Sequence, residues 1–506
     1  MKRTPLFVST FLVLLTCVYS FAAGDVLRGD GSSQNPYLIG NLTDFNVFAD
    51  PGNASTYWAS GVHVELTNSI SLSGRSYSSA VIAPDTNAAT ITHDGPVYSG
   101  TFNGRGFEIS GLSIVDDSGN SNIGLFGRVE NGVIENLGVV NCSIDAGFQG
   151  LTENRNAANF GGLCGQFSSG TVSNCFATGT IEVSGHSTKQ ANILSVGGLI
   201  GNFWGTMSNC YSSCTVTVSV RSDLYSQLHT VGGLCGYSEG SISSSYSGGS
   251  VTATASKSLD ANPYIGYKIS AIGGLCGKNS ATVDRCFSSG PVHCSSNSFS
   301  DSTLHSIGGL IGYNLYRPVY DSYTTSTVSA SASADRRMAH CREIGGLIGN
   351  NHEPVENCYA AASFSAIVSG VYTNENNQGG LCGGNWGTVT NCFWDTDVSG
   401  KIESAGGTGK TTLEMGVEGL YTAAGWDFDS SDGSADWVMS GGYPKLTWEP
   451  VSIVDAEEFA LLAKYWQMTG CNDGQPCETA DWNDDGSIDM LDLKQLAQSW
   501  LSGEVR

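Results

Sequence analysis

Charge is scarce in this sequence. Asp, Glu, Lys and Arg supply 14% of the 506 residues, against a usual share of about 25%. Positive charge is scarcer still: 23 Lys and Arg face 47 Asp and Glu, a net charge of −24. A polyanion of this kind repels nucleic acid and anionic lipid surfaces, so neither is expected as a partner. The low charge comes with 10% aromatic residues, which excludes the composition of a disordered chain. Glycine does not recur every third residue, which excludes collagen. One G-x-S-x-G string occurs, Gly236-Tyr237-Ser238-Glu239-Gly240, but it lies inside a β-rich repeat without the following helix that a nucleophile elbow needs, so an α/β-hydrolase nucleophile is not signalled. No tight Cys/His spacing occurs either, which argues against a zinc site. After the first two dozen residues no apolar run reaches the roughly 18 needed to cross a bilayer, so no transmembrane span is expected once that leader is removed.

Within the first residues, Lys2 and Arg3 precede an apolar run from Leu6 to about Tyr19, and Ser20-Phe21-Ala22 follows. That order reads as a secretory signal peptide over 1–22, cut after Ala22. The expected location of the mature protein is extracellular or at the cell surface. The last fifth of the chain is the most acidic part. From Asp395 onward there are 21 acids and six bases. A dense group of carboxylates either binds a cation or is a solvated tail.

What the sequence has in abundance is glycine, 66 residues, and much of it is periodic. GGLCG or GGLIG begins at Gly161, Gly197, Gly232, Gly273, Gly308, Gly345 and Gly379, with a weaker forerunner at Ile123-Gly124-Leu125-Phe126-Gly127. The spacing is 34–41 residues. About ten residues after each comes a second element, such as Val172-Ser173-Asn174-Cys175-Phe176 or Val389-Thr390-Asn391-Cys392-Phe393. A third β-rich run follows, for example Cys214-Thr215-Val216-Thr217-Val218. The runs are short, alternating and separated by Gly, Ser and Asn, which predicts strands and turns. One such unit cannot bury its own apolar face and must stack on its neighbours.

The predicted fold is therefore mainly β: a parallel right-handed β-helix or solenoid of 34–41-residue repeats. The Leu column at Leu163, Leu199, Leu234, Leu275, Leu310, Leu347 and Leu381 would face inward. Asn174, Asn209, Asn357 and Asn391 would form a side-chain amide ladder at a turn, and the variable stretches would bulge as loops. A propeller is the alternative, but its blades usually need four strands.

These motifs resemble the GLUG-motif family over about 120–395. The resemblance implies a β-solenoid in secreted or surface proteins, without one fixed biochemical activity. On this reading residues 23–119 form an N-terminal cap with the first irregular coils, 120–395 the repeat solenoid, and 396–449 a C-terminal cap or linker. Of sixteen cysteines, most fall in columns where other repeats carry Ile, Ser or Leu, which favours small buried thiols. Stacked rungs about 4.8 Å apart would also allow Cys175–Cys210, Cys235–Cys276 or Cys358–Cys392 to pair.

The strongest chemical motif lies near the end. Asp481, Asn483, Asp485, Ser487, Asp489 and Asp492 fall at loop positions one, three, five, seven, nine and twelve, with Gly486 at the turn. That pattern supplies the oxygen ligands a calcium ion needs. Leu493, Leu496, Ala497 and Trp500 follow at helical spacing. The segment 458–466 aligns with 492–500 at an offset of 34. Over 450–502 the chain thus resembles a type I dockerin, a small α-helical calcium-loop module. The resemblance implies calcium as cofactor and a cohesin-like protein as partner. Two departures matter. Thr447, Glu449 and Val451 break the first ligand set, so one calcium is expected. Ala456-Glu457 and Met490-Leu491 replace the usual Ser-Thr recognition pair, which puts cohesin docking in doubt. Cys471 and Cys477 are spaced for a local disulfide.

Gly407-Thr408-Gly409-Lys410-Thr411-Thr412 imitates the end of a phosphate-binding loop, but Ser404 stands where its first glycine should. Trp394, Trp426, Trp437 and Trp448 would serve either as a sugar-stacking platform or as packing at the solenoid's end. For catalysis, the carboxylates Asp284, Asp321 and Glu356, with Arg285, occupy roughly equivalent turn positions. They would make a glycoside hydrolase or polysaccharide lyase site if they converge, and a solvated turn if they do not. The sequence leans away from an enzyme. It favours a secreted or cell-surface scaffold for binding, adhesion or display, whose partner is an extracellular polysaccharide or a cell-surface component.

Overall fold

A computed structural model of the chain describes residues 26–87, 92–151, 155–222, 225–257, 267–374, 377–428, 435–449, 463–468, 487–489 and 493. It has two compact units: residues up to Phe428 with Met439–Pro444, and Asp429–Val438 with Lys445 onward.

The first unit is a parallel β-solenoid of about eight turns with few helices. One turn shows how the repeat becomes a rung. Cys164–Phe167 lies in an eight-stranded sheet and Gly170–Ser173 in an eleven-stranded one. Asn174 then turns the corner with φ 52°. Phe176–Ser187 runs outward in the largest sheet, and Gln190–Gly197 returns. Gly197-Gly198-Leu199 bends the chain into Ile200–Phe203 of the next rung. The register is kept: Cys164 pairs with Ile200, Ile200 with Cys235, and Cys235 with Cys276.

The double glycine is dictated by this bend. The Gly233 amide donates to the Gly274 carbonyl at 2.9 Å. A Cβ on Gly233 would lie 2.2 Å from that carbonyl oxygen and 2.1 Å from Ser247 Oγ. No side chain fits so close an approach. All seven motif leucines are fully buried, as their spacing predicts. The corner residue has positive φ in rung after rung: Asn136, Asn174, Asn209, Arg285, Asp321, Asn357 and Asn391. Asn tolerates that region better than most residues, which explains its recurrence. The corner amides form a ladder only in pieces. Asn174 donates to Asn136 at 2.9 Å, Asn136 to Asn103 at 3.1 Å, and Asn357 to Asp321 at 3.2 Å.

Two longer ladders run through the repeats. Inside, Asn279, Asn314, Asn351 and Asn385 are linked by amide hydrogen bonds of 2.8–2.9 Å. In the other, Phe176, Tyr211, Tyr246, Phe287, Tyr323 and Tyr359 stack with ring centroids 4.7–5.1 Å apart, half-buried at first and buried from Phe287 onward.

The variable stretches differ from expectation. Where described they are strands, not loops: Thr215–Ser222 runs out and Tyr225–Gly232 returns, and Val292–Ser298 and Ser302–Gly308 do the same. Their residues alternate buried and exposed, as in Val292–Ser298, so the pattern is period two. Ser302 Oγ bonds the Ser296 carbonyl across the pair at 3.0 Å.

Toward the N-terminus, Tyr37–Ile39, His63–Leu66 and Thr101–Asn103 join the eleven-stranded sheet. A helix, Leu42–Ala49, is capped by the Asn41 side chain and buries Phe45 and Phe48. After the repeats, Tyr421 and Trp426 pack on Phe393. Trp394, Trp426 and Trp437 are buried, which leaves them no platform face. Lys410 ends a short strand, Thr408–Lys410, and Thr411 caps a four-residue helix. The thirteen described cysteines are buried, and Cys175, Cys210, Cys235, Cys276, Cys358 and Cys392 are free thiols, not the stacked disulfides the spacing would allow. Cys471 and Cys477 lie outside the described residues.

Leu275→Ala should cost about 2–5 kcal/mol, because it opens a cavity in the inward column. Leu413→Ala, at an 85% exposed position, should change stability by less than about 0.5 kcal/mol. Denaturant titration of both variants checks this. Equal losses would contradict the stacked column.

Candidate binding groove

In each strand of the eight-stranded sheet, the residue two places after the Cys or Ile of the motif points away from the core. In-register pairing makes these positions a column: Arg128, Gln166, Asn202, Tyr237, Lys278, Tyr313 and Asn350. The returning strands run alongside and contribute His229, Lys268, Ser270, His305 and Ser306. Together they line a groove of about 670 Å³. It crosses several rungs, so no single repeat contains it.

At its centre Lys278 Nζ lies 5.0 Å from the Tyr237 ring centroid and 5.8 Å from that of Tyr313. These are the rings of the rungs before and after, close enough for cation–π attraction. Tyr237 donates its hydroxyl to Glu239. Burial and that bond push its pKa up to about 12. Further along, His305 Nε2 is 3.2 Å from Glu343 Oε2, and Ser306 Oγ is 2.7 Å from His305 Nδ1. Ser306 also donates to Glu343 at 3.1 Å, and so does the Asn350 amide. Ser306 and Glu343 have φ of 56° and 55°. Non-glycine residues rarely hold that conformation, and it concentrates at functional sites.

Several buried polar atoms along the groove have no partner in the protein: His93 Nδ1, Arg128 Nε, Asn202 Oδ1 and Asn350 Oδ1. Burying such atoms unpaired is costly. Beyond its rim the aromatic side chains His352 and Trp386 stack at 4.9 Å, and Tyr313 meets His352 edge-on at 5.3 Å. Trp386 is 60% exposed. The sequence did not single out this groove. Its residues have nothing in common as types, and only the register brings them together.

The carboxylates considered from sequence lie on another face. Asp284, Tyr320 and Glu356 share a column in the eleven-stranded sheet, so a tyrosine separates the two acids. Asp284 pairs with Arg285 at 3.2 Å. Asp321 sits in the corner column with Asn357. Of the six calcium-loop residues, Asp481, Asn483, Asp485 and Asp492 lie outside the described residues, while Ser487 and Asp489 are described. Ile488, between the latter two, exchanges backbone hydrogen bonds with Gln467 and Met468 at 2.8 and 2.9 Å. The Leu493 amide donates to the Asp489 carbonyl at 3.3 Å. The six side chains offer only oxygen donors, a set that fits a hard divalent cation.

No family model matches the chain. A stretch of 93 residues, 17% of this chain, is 40% identical to a "Putative Gly-rich membrane protein" of Evansella cellulosilytica and covers 10% of it. Another of 184 residues, 35% of this chain, is 33% identical to halomucin of Haloquadratum walsbyi and covers 2% of it. The matches thus span a tenth or less of those proteins. Among solved structures, the crystal structure of a "putative immunoglobulin A1 protease" from Bacteroides ovatus aligns with a TM-score of 0.36 and 19% identity. The alignment covers 83% of this chain and 94% of that one.

Burial holds the pKa values of His93, His229 and His305 below the ordinary value, and the Lys268 charge adds to this at His229 and His305. The unfolded chain therefore takes up protons first as the pH falls below about 6.5. Stability should be full above that pH and fall as the pH drops toward the folded-state values. The His229→Gln/His305→Gln double variant should show a flatter fall in melting temperature between pH 7.5 and 5.5. An unchanged slope would contradict the assignment.

Proposed function

We propose that this protein is an extracellular binding scaffold that lays an extended polysaccharide, or a glycan of a cell surface, along the groove. One observation carries the reading: a single polar and aromatic groove crosses several rungs and contains buried polar atoms without protein partners. Tyrosines beside hydrogen-bonding groups suit sugar rings, which have apolar faces and polar edges. The signal-like leader and the similarity of one stretch to a Gly-rich membrane protein support a location outside the cytoplasm or at the cell surface. The GLUG-type repeats would wind in a right-handed sense, as parallel crossovers do. Residues 450–502 would form the dockerin-like module, held by one calcium ion, and would attach the scaffold to a cohesin-like or other surface partner.

Hydrolase or lyase chemistry at Asp284, Asp321 and Glu356 is the weaker alternative. Asp284 is engaged by Arg285, and Asp321 accepts from Asn357.

Three experiments test the reading. On a panel of immobilised polysaccharides, the Tyr237→Ala/Tyr313→Ala double variant should be retained at least tenfold less than the parent, with the β-rich circular dichroism unchanged. Equal retention would remove the groove from the account. Reducing ends or unsaturated products released from any polymer, and lost in Asp284→Asn or Glu356→Gln, would establish the enzyme instead. Calorimetric titration of the full chain should find one calcium site, abolished by Asp481→Ala with Asp485→Ala. No heat from the parent protein would overturn the calcium module.

A further inference from the structure

The charge of the groove is opposite to that of the protein. Acids outnumber bases 47 to 23 over the chain, yet the residues lining the groove include Arg128, Lys268 and Lys278 and no Asp or Glu. Three carboxylates beside lining residues have partners other than the lysines: Glu130 has Arg128 at 3.2 Å, Glu239 has Tyr237, and Glu343 has His305, Ser306 and Asn350. Among the described residues, neither Lys268 nor Lys278 has a carboxylate within ion-pair distance. Lys268 lies on the strand that ends one rung and Lys278 on the strand that begins the next. The neighbouring strands supply Tyr237 and Tyr313 against Lys278, and His229 and His305 beside Lys268. Four rung steps away in the same column, roughly 19 Å at the spacing of parallel strands, stands Arg128 with its buried Nε unpaired. Two rung steps from Lys278 on the other side, beyond Tyr313, Asn350 is 5% exposed and its Oδ1 has no partner.

We propose that the groove selects an anionic polysaccharide, one carrying carboxylate or sulfate groups, with Lys268 and Lys278 as the anion-recognising cations and Tyr237 and Tyr313 as the walls of the sugar subsite. This rests on the binding reading given above. Two unpaired ammonium groups in a part-buried groove gain from an anionic partner. The flanking tyrosine rings supply the apolar surface that a sugar needs and a simple anion does not. A densely charged polyphosphate would meet the repulsion of a −24 protein along its whole length. A glycan with one charge every sugar or two meets little of it.

The test uses the full chain in calcium buffer at pH 7.5. Retention is measured on polygalacturonate, a carrageenan with one sulfate per disaccharide, neutral dextran and double-stranded DNA. Polygalacturonate or the carrageenan should be bound at least tenfold more tightly than dextran or DNA, and whichever of the two binds more tightly identifies the anionic group. The Lys268→Gln/Lys278→Gln double variant should lose at least tenfold and show a shallower dependence on salt. Lys410→Gln, outside the groove, should change neither. Circular dichroism and melting temperature establish that each variant is folded, and Lys278→Arg should retain most of the binding. Equal retention of dextran and polygalacturonate, lost in Tyr237→Ala/Tyr313→Ala, would overturn anion selection and leave the scaffold reading intact. No retention of any polymer would overturn both. Retention of DNA equal to that of the anionic glycans, or binding unchanged in the double lysine variant, would overturn the proposal.

Discussion

Every feature of this molecule depends on parallel, in-register stacking of one rung on the next. A single rung has three or four short strands and no core of its own. Its backbone amides find partners on the neighbouring rung: Leu199 bonds to Leu234, Leu234 to Leu275, and Leu275 to Leu310. Stacking at this distance allows nothing but glycine before the leucines from Leu199 to Leu347, where an added Cβ would strike the next rung's carbonyl. The glycines are therefore conditions for the repeat, and the leucines fill the space that they define.

Once the register is set, equivalent residues form columns, and each column finds a physical solution of its own. Amides donate along the buried Asn279–Asn314–Asn351–Asn385 ladder, so polar side chains sit in a core without orphaned groups. Aromatic rings stack face to face from Phe176 to Tyr359. Thiols fill small buried gaps, and burial pushes the pKa values of Cys164 and Cys276 well above the ordinary range. The remaining column of the eight-stranded sheet, facing outward, has no such uniform solution. Its residues vary from Arg128 to Asn350, and that variation makes a groove with chemistry that changes along its length.

Much of the fold was legible because the repeat is strict where packing is strict. The GGL spacing gives the rungs, the leucine column gives the inward face, and recurring Asn gives the corners. The outgoing and returning strands were not legible as strands. Their inner positions hold Ser and Ala as often as Val, as in Val328–Gly345, and short polar-small alternation reads as loop. The buried Asn ladder escaped notice because its column begins with Val129, Phe167, Phe203 and Ser238. The groove escaped for a different reason. His229, Lys268, Lys278, His305 and Tyr313 stand far apart in sequence and belong to no motif, so only the register makes them neighbours. The tryptophans misled in part: Trp394 and Trp426 are buried, while the exposed Trp204 and Trp386 lie at turns that carried no signal.

The central claim is that the ligand lies along the rungs and contacts the same two positions in successive repeats. Hydrogen exchange with and without polygalacturonate tests it most directly. Protection should appear in peptides covering 194–202, 229–237, 268–278 and 305–313, recurring at the repeat spacing, with the opposite face of the solenoid unchanged. Protection confined to a single repeat, or found only on the face that holds Asp284 and Glu356, would contradict the account.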